Sequence, residues 1–336
     1  MKNKKNILIY VLYSTIFISI FFISLMTGPG NISLSKVFSI FFFISPPSGE
    51  DFINYTLLQQ LRIPRTIMVL LSGAALSVAG VITQAIFRNS LSSPGILGIS
   101  SGAALFSVLS MYFGLEVYSF YVVPFASFLG SFLVFFILIM LSDKLSGMSS
   151  LLLTGLALSA FFNSITTLLL NAGLERLDFA AKVLRWMMGS FEGIGWFHIY
   201  WTIIPVIISV FLAIWIARDL DTLHLGIDTA ITLGVNYRML VIIGIIIISL
   251  LVGIITAIVG IIGFVGLIIP HVVRMVTGAG HKRLILHSIV VGANFLLLVD
   301  IVVRKFDTIA LAPGVITGLF GAPFFLWLII KTRYSE

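Results

Sequence analysis

Residues 253–276 read GIITAIVGIIGFVGLIIPHVVRMV, and residues 61–102 read LRIPRTIMVLLSGAALSVAGVITQAIFRNSLSSPGILGISSG. Both stretches are apolar enough to lie in lipid, and both are crowded with Gly, Ala and Ser. In a bilayer oily side chains gain nothing by meeting one another, so helices associate where small residues let their backbones approach. Both stretches also carry polar or basic residues beside a proline. They describe a packed helical bundle with mouths rather than a simple anchor. The first of them also decides how the helices are counted. From Met239 to Val276 the chain is apolar almost throughout. A single helix of that length, rising about 1.5 Å per residue, overruns a hydrocarbon core about 30 Å thick. The chain must turn within it, and Gly260 and Gly263 mark the place.

The rest of the composition agrees. Of 336 residues 59% are hydrophobic, the mean hydropathy is +1.16, and only 10% are charged, against about 25% in a soluble protein. There is no cysteine, which excludes a disulfide framework and a thiolate metal site. The net charge of +7 does not signal nucleic acid, because no basic run is long enough; the cations sit in short breaks between apolar segments. The start, MKNKKN, is basic and is followed by an apolar run from Ile7 to Met26. A signal peptide is the rival reading. The run is about the length of a full span and no A-x-A site follows, so it is read as a retained first helix.

Ten apolar segments follow one another, at 7–26, 66–87, 96–114, 118–141, 149–171, 197–217, 239–259, 262–276, 285–303 and 311–331. An even number puts both termini on one side. With the termini inside, 12 of the 20 Lys and Arg lie inside, as the positive-inside rule requires. Three breaks exceed a turn. Residues 27–64 form an outer loop with an interfacial helix expected at Leu34–Phe43, closed by Pro46-Pro47. Residues 172–196 form a second outer loop, amphipathic around Leu174–Trp186. Residues 218–238 form the longest inner loop, read as two short helices. Asp219 is expected to cap the first and Gly226 to end it; Asp228 caps the second and Gly234 ends it in the left-handed conformation. Leu225, Ile227, Ala230 and Leu233 give it an apolar side, the mark of a loop that docks.

Much chemistry is missing. No G-x-x-x-x-G-K-[ST] loop occurs, so the chain does not cradle ATP in the usual way. The five histidines are scattered without metal spacing, and His271 after Pro270 is read as structural. Asp300 is the only acid well within an apolar segment. Ion-driven carriers keep intramembrane acids because each is costly in lipid and retained for function. Their scarcity argues against an ion-gradient-driven secondary transporter, the alternative reading, and against a membrane enzyme.

The motifs resemble those of the permease subunits of bacterial ABC importers for iron–siderophore complexes, haem and cobalamin. The match runs through Arg62-Ile63-Pro64-Arg65, Gly73-Ala74-Ala75, Gln84, Arg88-Asn89-Ser90-Leu91-Ser92-Ser93-Pro94 and Leu97-Gly98-Ile99-Ser100-Ser101-Gly102-Ala103. It continues through Arg185-Trp186-Met187-Met188-Gly189-Ser190-Phe191, Leu225-Gly226 with Leu233-Gly234, and Gly263-Phe264-Val265-Gly266-Leu267-Ile268-Ile269-Pro270-His271-Val272-Val273-Arg274. It closes with Asp300-Ile301-Val302-Val303-Arg304, Pro313-Gly314 and Gly321-Ala322-Pro323-Phe324. Any one motif is weak; all of them in order, from the second span to the last, are specific.

The resemblance implies a fold: an all-α polytopic membrane protein of about ten transmembrane helices, of the cobalamin-importer or type II ABC importer kind. The chain, 1–336, is then one transmembrane permease domain with 218–238 as its cytoplasmic coupling segment. It implies a multi-pass protein of the bacterial cell membrane with both termini cytoplasmic, paired with a second permease that is identical or a sister chain. Two ATPase subunits carry ATP-Mg, an extracytoplasmic solute-binding protein delivers the cargo, and lipid surrounds the whole. No cofactor, metal, catalytic residue or nucleic-acid partner is expected in this chain. The cargo implied is an iron chelate, a ferric siderophore before haem or cobalamin.

Residue roles carry over by motif position. Arg62, Arg65 and Arg304 are implied to receive acidic residues of the binding protein, a task suited to the planar guanidinium fork; the plain alternative is contact with lipid headgroups. Leu225, Gly226, Asp228, Ala230, Leu233 and Gly234 are implied to couple to the ATPase. The family commonly has an acid directly after Leu-Gly, where this chain has Ile227 and then Asp228. Asn89 and Leu91, with Ser149 and Ser150, are implied to narrow the cytoplasmic gate; the plain reading of Asn89 is a helix-end cap. Ser90 stands where the family's turn has proline.

Overall fold

Helix α12 (Tyr237–Val259) ends where the apolar run had to turn. Gly260 takes φ 77, four residues run without helix, and α13 (Val265–Thr277) begins. The computed structural model describes residues 15–28, 32–42, 50–119, 121–142, 148–278, 280–306 and 311–333.

Each of the ten apolar segments carries a helix among the described residues. In chain order these are α1 (Thr15–Met26), α4 (Ile63–Ile86), α5 (Ile99–Tyr112), α6 (Val122–Ser142), α7 (Met148–Ala172), α9 (Trp196–Trp215), α12, α13, α14 (His281–Lys305) and α15 (Pro313–Arg333). Among the described residues six helices are long and apolar enough to cross a bilayer, and α5 and α13, of 14 and 13 residues, are shorter apolar helices. The interfacial helix appears as α2 (Leu34–Phe42) and the amphipathic outer one as α8 (Leu177–Met187). The Pro46-Pro47 closure lies outside the described residues. Helix α3 (Glu50–Thr56) runs through a wide π turn at Leu57–Arg62 straight into α4. Pro64, just inside α4, has no N–H to give the turn before it, which is where such a turn forms.

Helix α4 is the centre of the bundle, and its buried face is the small-residue stretch read from the sequence. It packs most extensively against α14, with α12 and α13 alongside. A Cβ added at Gly73 would strike the carbonyl of Gly292 on α14, and one at Gly80 would strike Gly266 on α13. The same backbone-to-backbone approach joins Gly102 of α5 to Gly130 of α6. Hydroxyls inside these helices bond back to their own turn: Ser72 to Met68, Ser77 to Gly73, Thr83 to Ala79. Nothing polar is left for lipid to satisfy at those positions.

Helices α5 and α13 are about 20 Å long, short of the hydrocarbon thickness. Their contacts place their starts well inside the bundle. Gly266 lies against Leu76 and Gly80 of α4, six to ten residues before its end, about 9–15 Å up the helix. Gly98, which opens α5, lies against Gly155, seven residues into α7. Both helices therefore begin near the middle of the bundle.

Gly80→Val drives two methyl groups into the α13 backbone, an overpacking that costs about 1–3 kcal/mol where neighbours can shift and more where they cannot. A clear drop in the thermal midpoint of the detergent-solubilised protein is expected, with Gly195→Ala, where an added Cβ meets nothing within 4 Å, near wild type. Equal midpoints would mean that the seam is not tight.

Candidate functional site

Three levels of the bundle carry the residues singled out in the sequence. At the end expected to face outward, α1 finishes at Met26 with its last carbonyls unpaired by the helix. Arg62 fills two of them: its Nη1 donates to Leu25 O at 2.7 Å and Met26 O at 3.0 Å. Arg304 fills two more, donating to Ser24 O and Thr27 O at 2.8 Å each, and its Nη2 reaches Ser24 Oγ at 2.6 Å. Cations belong at a helix C-terminus, where the carbonyl ends gather partial negative charge.

The third arginine binds an acid. Arg65 donates to Asp300 Oδ1 through Nε at 3.1 Å and Nη2 at 2.8 Å, and Arg304 Nη2 lies 2.9 Å from Asp300 Oδ2. The Asp300 side chain has no exposed surface; Arg304 keeps 6%, Arg62 5% and Arg65 19%. Asp300 is the only fully buried acid among the described residues. The three arginines thus stand together, and each has partners within the chain. Their common partners, Asp300 and the end of α1, were not assigned from the sequence. The Asp300–Arg304 spacing of four on a helix was the available signal; nothing in the sequence linked either residue to α1.

At mid-depth the starts of α5 and α13 face a cavity of about 410 Å³. Ser93, Ser100, Ser101, Ser159, Asn163 and Thr256 give it a polar wall, and the unwound strand from Ile261 to Phe264 forms another side. Non-helical backbone at this depth is sustainable only where it borders protein or a polar cavity. Two helix N-termini also bring partial positive charge to the space. Phe264 adopts φ 65, ψ −25, rare for a bulky residue, and Val265 N–H closes a tight turn onto Gly263 O at 2.8 Å. Its ring lies over Gly321 of α15, where any Cβ would collide. The glycine-rich motif Gly263-Phe264-Val265-Gly266 is therefore a backbone device: it turns the chain and lets α13 touch α4.

At the opposite end, expected to face the cytoplasm, α4 stops in a left-handed Arg88, φ 49, with Asn89 N–H bonded back to Gln84 O at 3.1 Å. Asn89 is exposed, and its Oδ1 accepts the Leu91 N–H at 2.8 Å, which is the helix-end turn of the plain reading. Leu91 and Ser150 are half-buried; the Ser149 side chain lies outside the described residues. Buried Gln84 bridges α4 to α13, donating to Leu267 O at 3.2 Å and accepting from Arg274 Nη2 at 3.2 Å.

Residues 218–238, expected from the sequence to couple to the ATPase, fold as α10 (Ala217–His224) and α11 (Ile227–Thr232). Two cap assignments are corrected. Helix α10 follows α9 with only Ile216 between them, so Asp219 lies in its first turn rather than at its cap. The residue before α11 is Gly226, φ 129, and Asp228 lies one residue inside. Gly234 does end α11 at φ 88, with Val235 N–H on Ala230 O at 3.0 Å. The apolar side divides: Ala230 is buried and Ile227 half-buried, while Leu225 and Leu233, with Ile231, point outward at more than half exposure.

Comparison with known proteins gives a consistent picture. The family model described as the FecCD transport family matches residues 16–331. The Fe(3+) dicitrate transport system permease protein FecD of Escherichia coli is 37% identical over 283 residues, 83% of this chain and 87% of that protein. The iron(3+)-hydroxamate import system permease protein FhuG of Bacillus subtilis is 32% identical and covers 99% of both chains. The vitamin B12 import system permease protein BtuC of Shigella boydii is 32% identical over 99% of this chain and 98% of its own. A solved inward-facing metal-chelate type ABC transporter superposes with TM-score 0.85 at 31% identity, covering 96% of this chain and 99% of that one.

Removing the carboxylate from the outer cluster leaves two buried guanidinium groups facing each other. Asp300→Ala is expected to cost about 3–5 kcal/mol, as for other broken buried pairs. Adding Arg65→Ala should recover part of that loss. Thermal unfolding in detergent reads both; an Asp300→Ala midpoint equal to wild type would remove the cluster from the stability of the fold.

Proposed function

The chain belongs to the FecCD transport family, and from that premise we propose that it carries a ferric chelate across the cell membrane, a ferric siderophore before haem or cobalamin. It is a multi-pass permease subunit of an ABC importer. In this reading it works by alternating access with a second permease, identical or a sister chain. Two separate ATPase subunits bind ATP-Mg, and an extracytoplasmic binding protein delivers the cargo. Both termini face the cytoplasm.

The observation that carries the reading is the mid-depth cavity. A space that mixes hydroxyls and one amide with apolar side chains such as Leu76, Leu156 and Val252, bounded by unwound backbone and by the starts of two half-length helices, suits a cargo that presents both polar oxygens and apolar surface and must be released again. Relatives named for Fe(3+) dicitrate and iron(3+)-hydroxamate support iron; those named for vitamin B12 keep a larger chelate as the second choice. The ion-driven alternative loses its best residue, because the one fully buried acid among the described residues is already neutralised by two arginines and is poorly suited to cycle a proton.

Roles follow from position. Arg65, the most exposed of the three arginines, meets the binding protein, whose carboxylate must compete with Asp300 for it; Arg62 and Arg304 hold the mouth in shape. Leu225 and Leu233, exposed beside Gly226, Asp228 and Gly234, meet the ATPase, while buried Ala230 anchors the segment. Asn89 and Leu91, with Ser149 and Ser150, border the cytoplasmic gate.

The test is transport by the reconstituted assembly. Vesicles holding the permease with its ATPase should take up iron-55-labelled siderophore only with the loaded binding protein outside and ATP inside. Uptake by permease alone on a proton or sodium gradient would overturn the reading. In the same vesicles Gly234→Val, which forces a β-branched residue to φ 88, should cut uptake by about tenfold, equivalent to about 1.4 kcal/mol, without loss of the permease from the membrane.

A further inference from the structure

Helix α14 has an N-terminus that its own sequence leaves bare. The residue before it is Gly280, which has no side chain to accept the first N–H groups. The missing acceptor comes from the coupling segment, 60 residues away. Asp221 Oδ1 of α10 accepts the backbone N–H of His281 at 2.8 Å and contacts the ring Nδ1 of His281 at 2.6 Å. The His281 side chain is buried, at 4% exposure, and the His224 ring of α10 lies edge-on to it at 6.3 Å. On the same face Ala217, Leu220 and Leu223 sink into the main core.

The other end of α14 holds Asp300 and Arg304. Between the two ends the helix runs unbroken for 25 residues, about 37 Å, and is locked to α4 where Gly73 and Gly292 meet. A push on α10 is therefore applied to the cap of a rod whose far end forms the outer arginine cluster.

We propose that Asp221 and His281 are positioning residues that join the coupling segment to α14, so that the two move as one body and carry the ATPase stroke to the outer mouth. This rests on the importer reading above. The joint is a cap traded between elements: α10 supplies the oxygen, α14 the donors. Asp221 is half-exposed and contributes little by its own burial, so its loss should affect transmission more than folding.

The experiment uses the complete importer in vesicles and reads siderophore taken up per ATP hydrolysed. Wild type must first show ATP-dependent uptake; if it does not, the importer reading fails and not the joint. Asp221→Ala is expected to lower the ratio about tenfold while ATP hydrolysis continues, and Asp221→Asn, which keeps an accepting oxygen, to hold it within about twofold. The natural chain has no cysteine, so a D221C/H281C variant of the purified permease can be bridged selectively, before assembly with its partners, by a short bis-methanethiosulfonate, each cysteine thiolate displacing one sulfinate to form a disulfide to the linker. The unbridged variant should behave as Asp221→Ala, and bridging should restore uptake. A wild-type ratio in Asp221→Ala, or bridging that leaves the variant uncoupled or arrests it, overturns the proposal. Should Asp221→Ala fail to assemble, the bridged and unbridged forms decide alone.

Discussion

A hydrocarbon core gives a backbone amide nothing to bond to, and the architecture follows from that scarcity. At several described places where a helix starts or ends within the bundle, a partner has been arranged. The end of α1 is met by guanidinium groups from the π turn before α4 and from α14. The start of α14 is met by a carboxylate from α10. Gln84 joins a carbonyl near the start of α13 to Arg274 farther along the same helix. Where no side chain serves, glycine permits two backbones to touch, as at Gly73 with Gly292. Charges follow the same rule: Asp300 is sustainable in the interior because two arginines share it.

The gross architecture was legible in composition and hydropathy. Ten apolar segments became ten helices, and the break at Gly260 to Gly263 fell where helix length demanded one. Depth was not legible. Hydropathy measures how apolar a segment is and not where it begins, so α5 and α13 read as ordinary spans although both start halfway through the bundle. The caps assigned to Asp219 and Asp228 failed for a related reason. Asp near a helix start is a good local signal, but α10 grows almost directly from α9, and Gly226 already occupies the position before α11.

The candidate site divides in the same way. The resemblance gave Arg62, Arg65 and Arg304 one shared role, yet their partners come from residues far away in sequence, which no local pattern records. Asn89 carried two readings, and the structure gives its geometry as a turn bond to Leu91. Asp221 and His281 were invisible because neither belongs to a motif and 60 residues separate them. Long-range polar pairs are where membrane folds store information that periodicity cannot hold.

The seam between α4 and α14 has a further consequence. Where Gly73 meets Gly292 two backbones touch with no rotamer to exchange, so that contact yields less readily than a leucine-packed one. Its grip owes more to dispersion and to the freedom regained by displaced lipid than to the side chains on either helix. A change in the surrounding bilayer is therefore felt as a change in the whole pair, and the two helices age, warm and respond as a single beam.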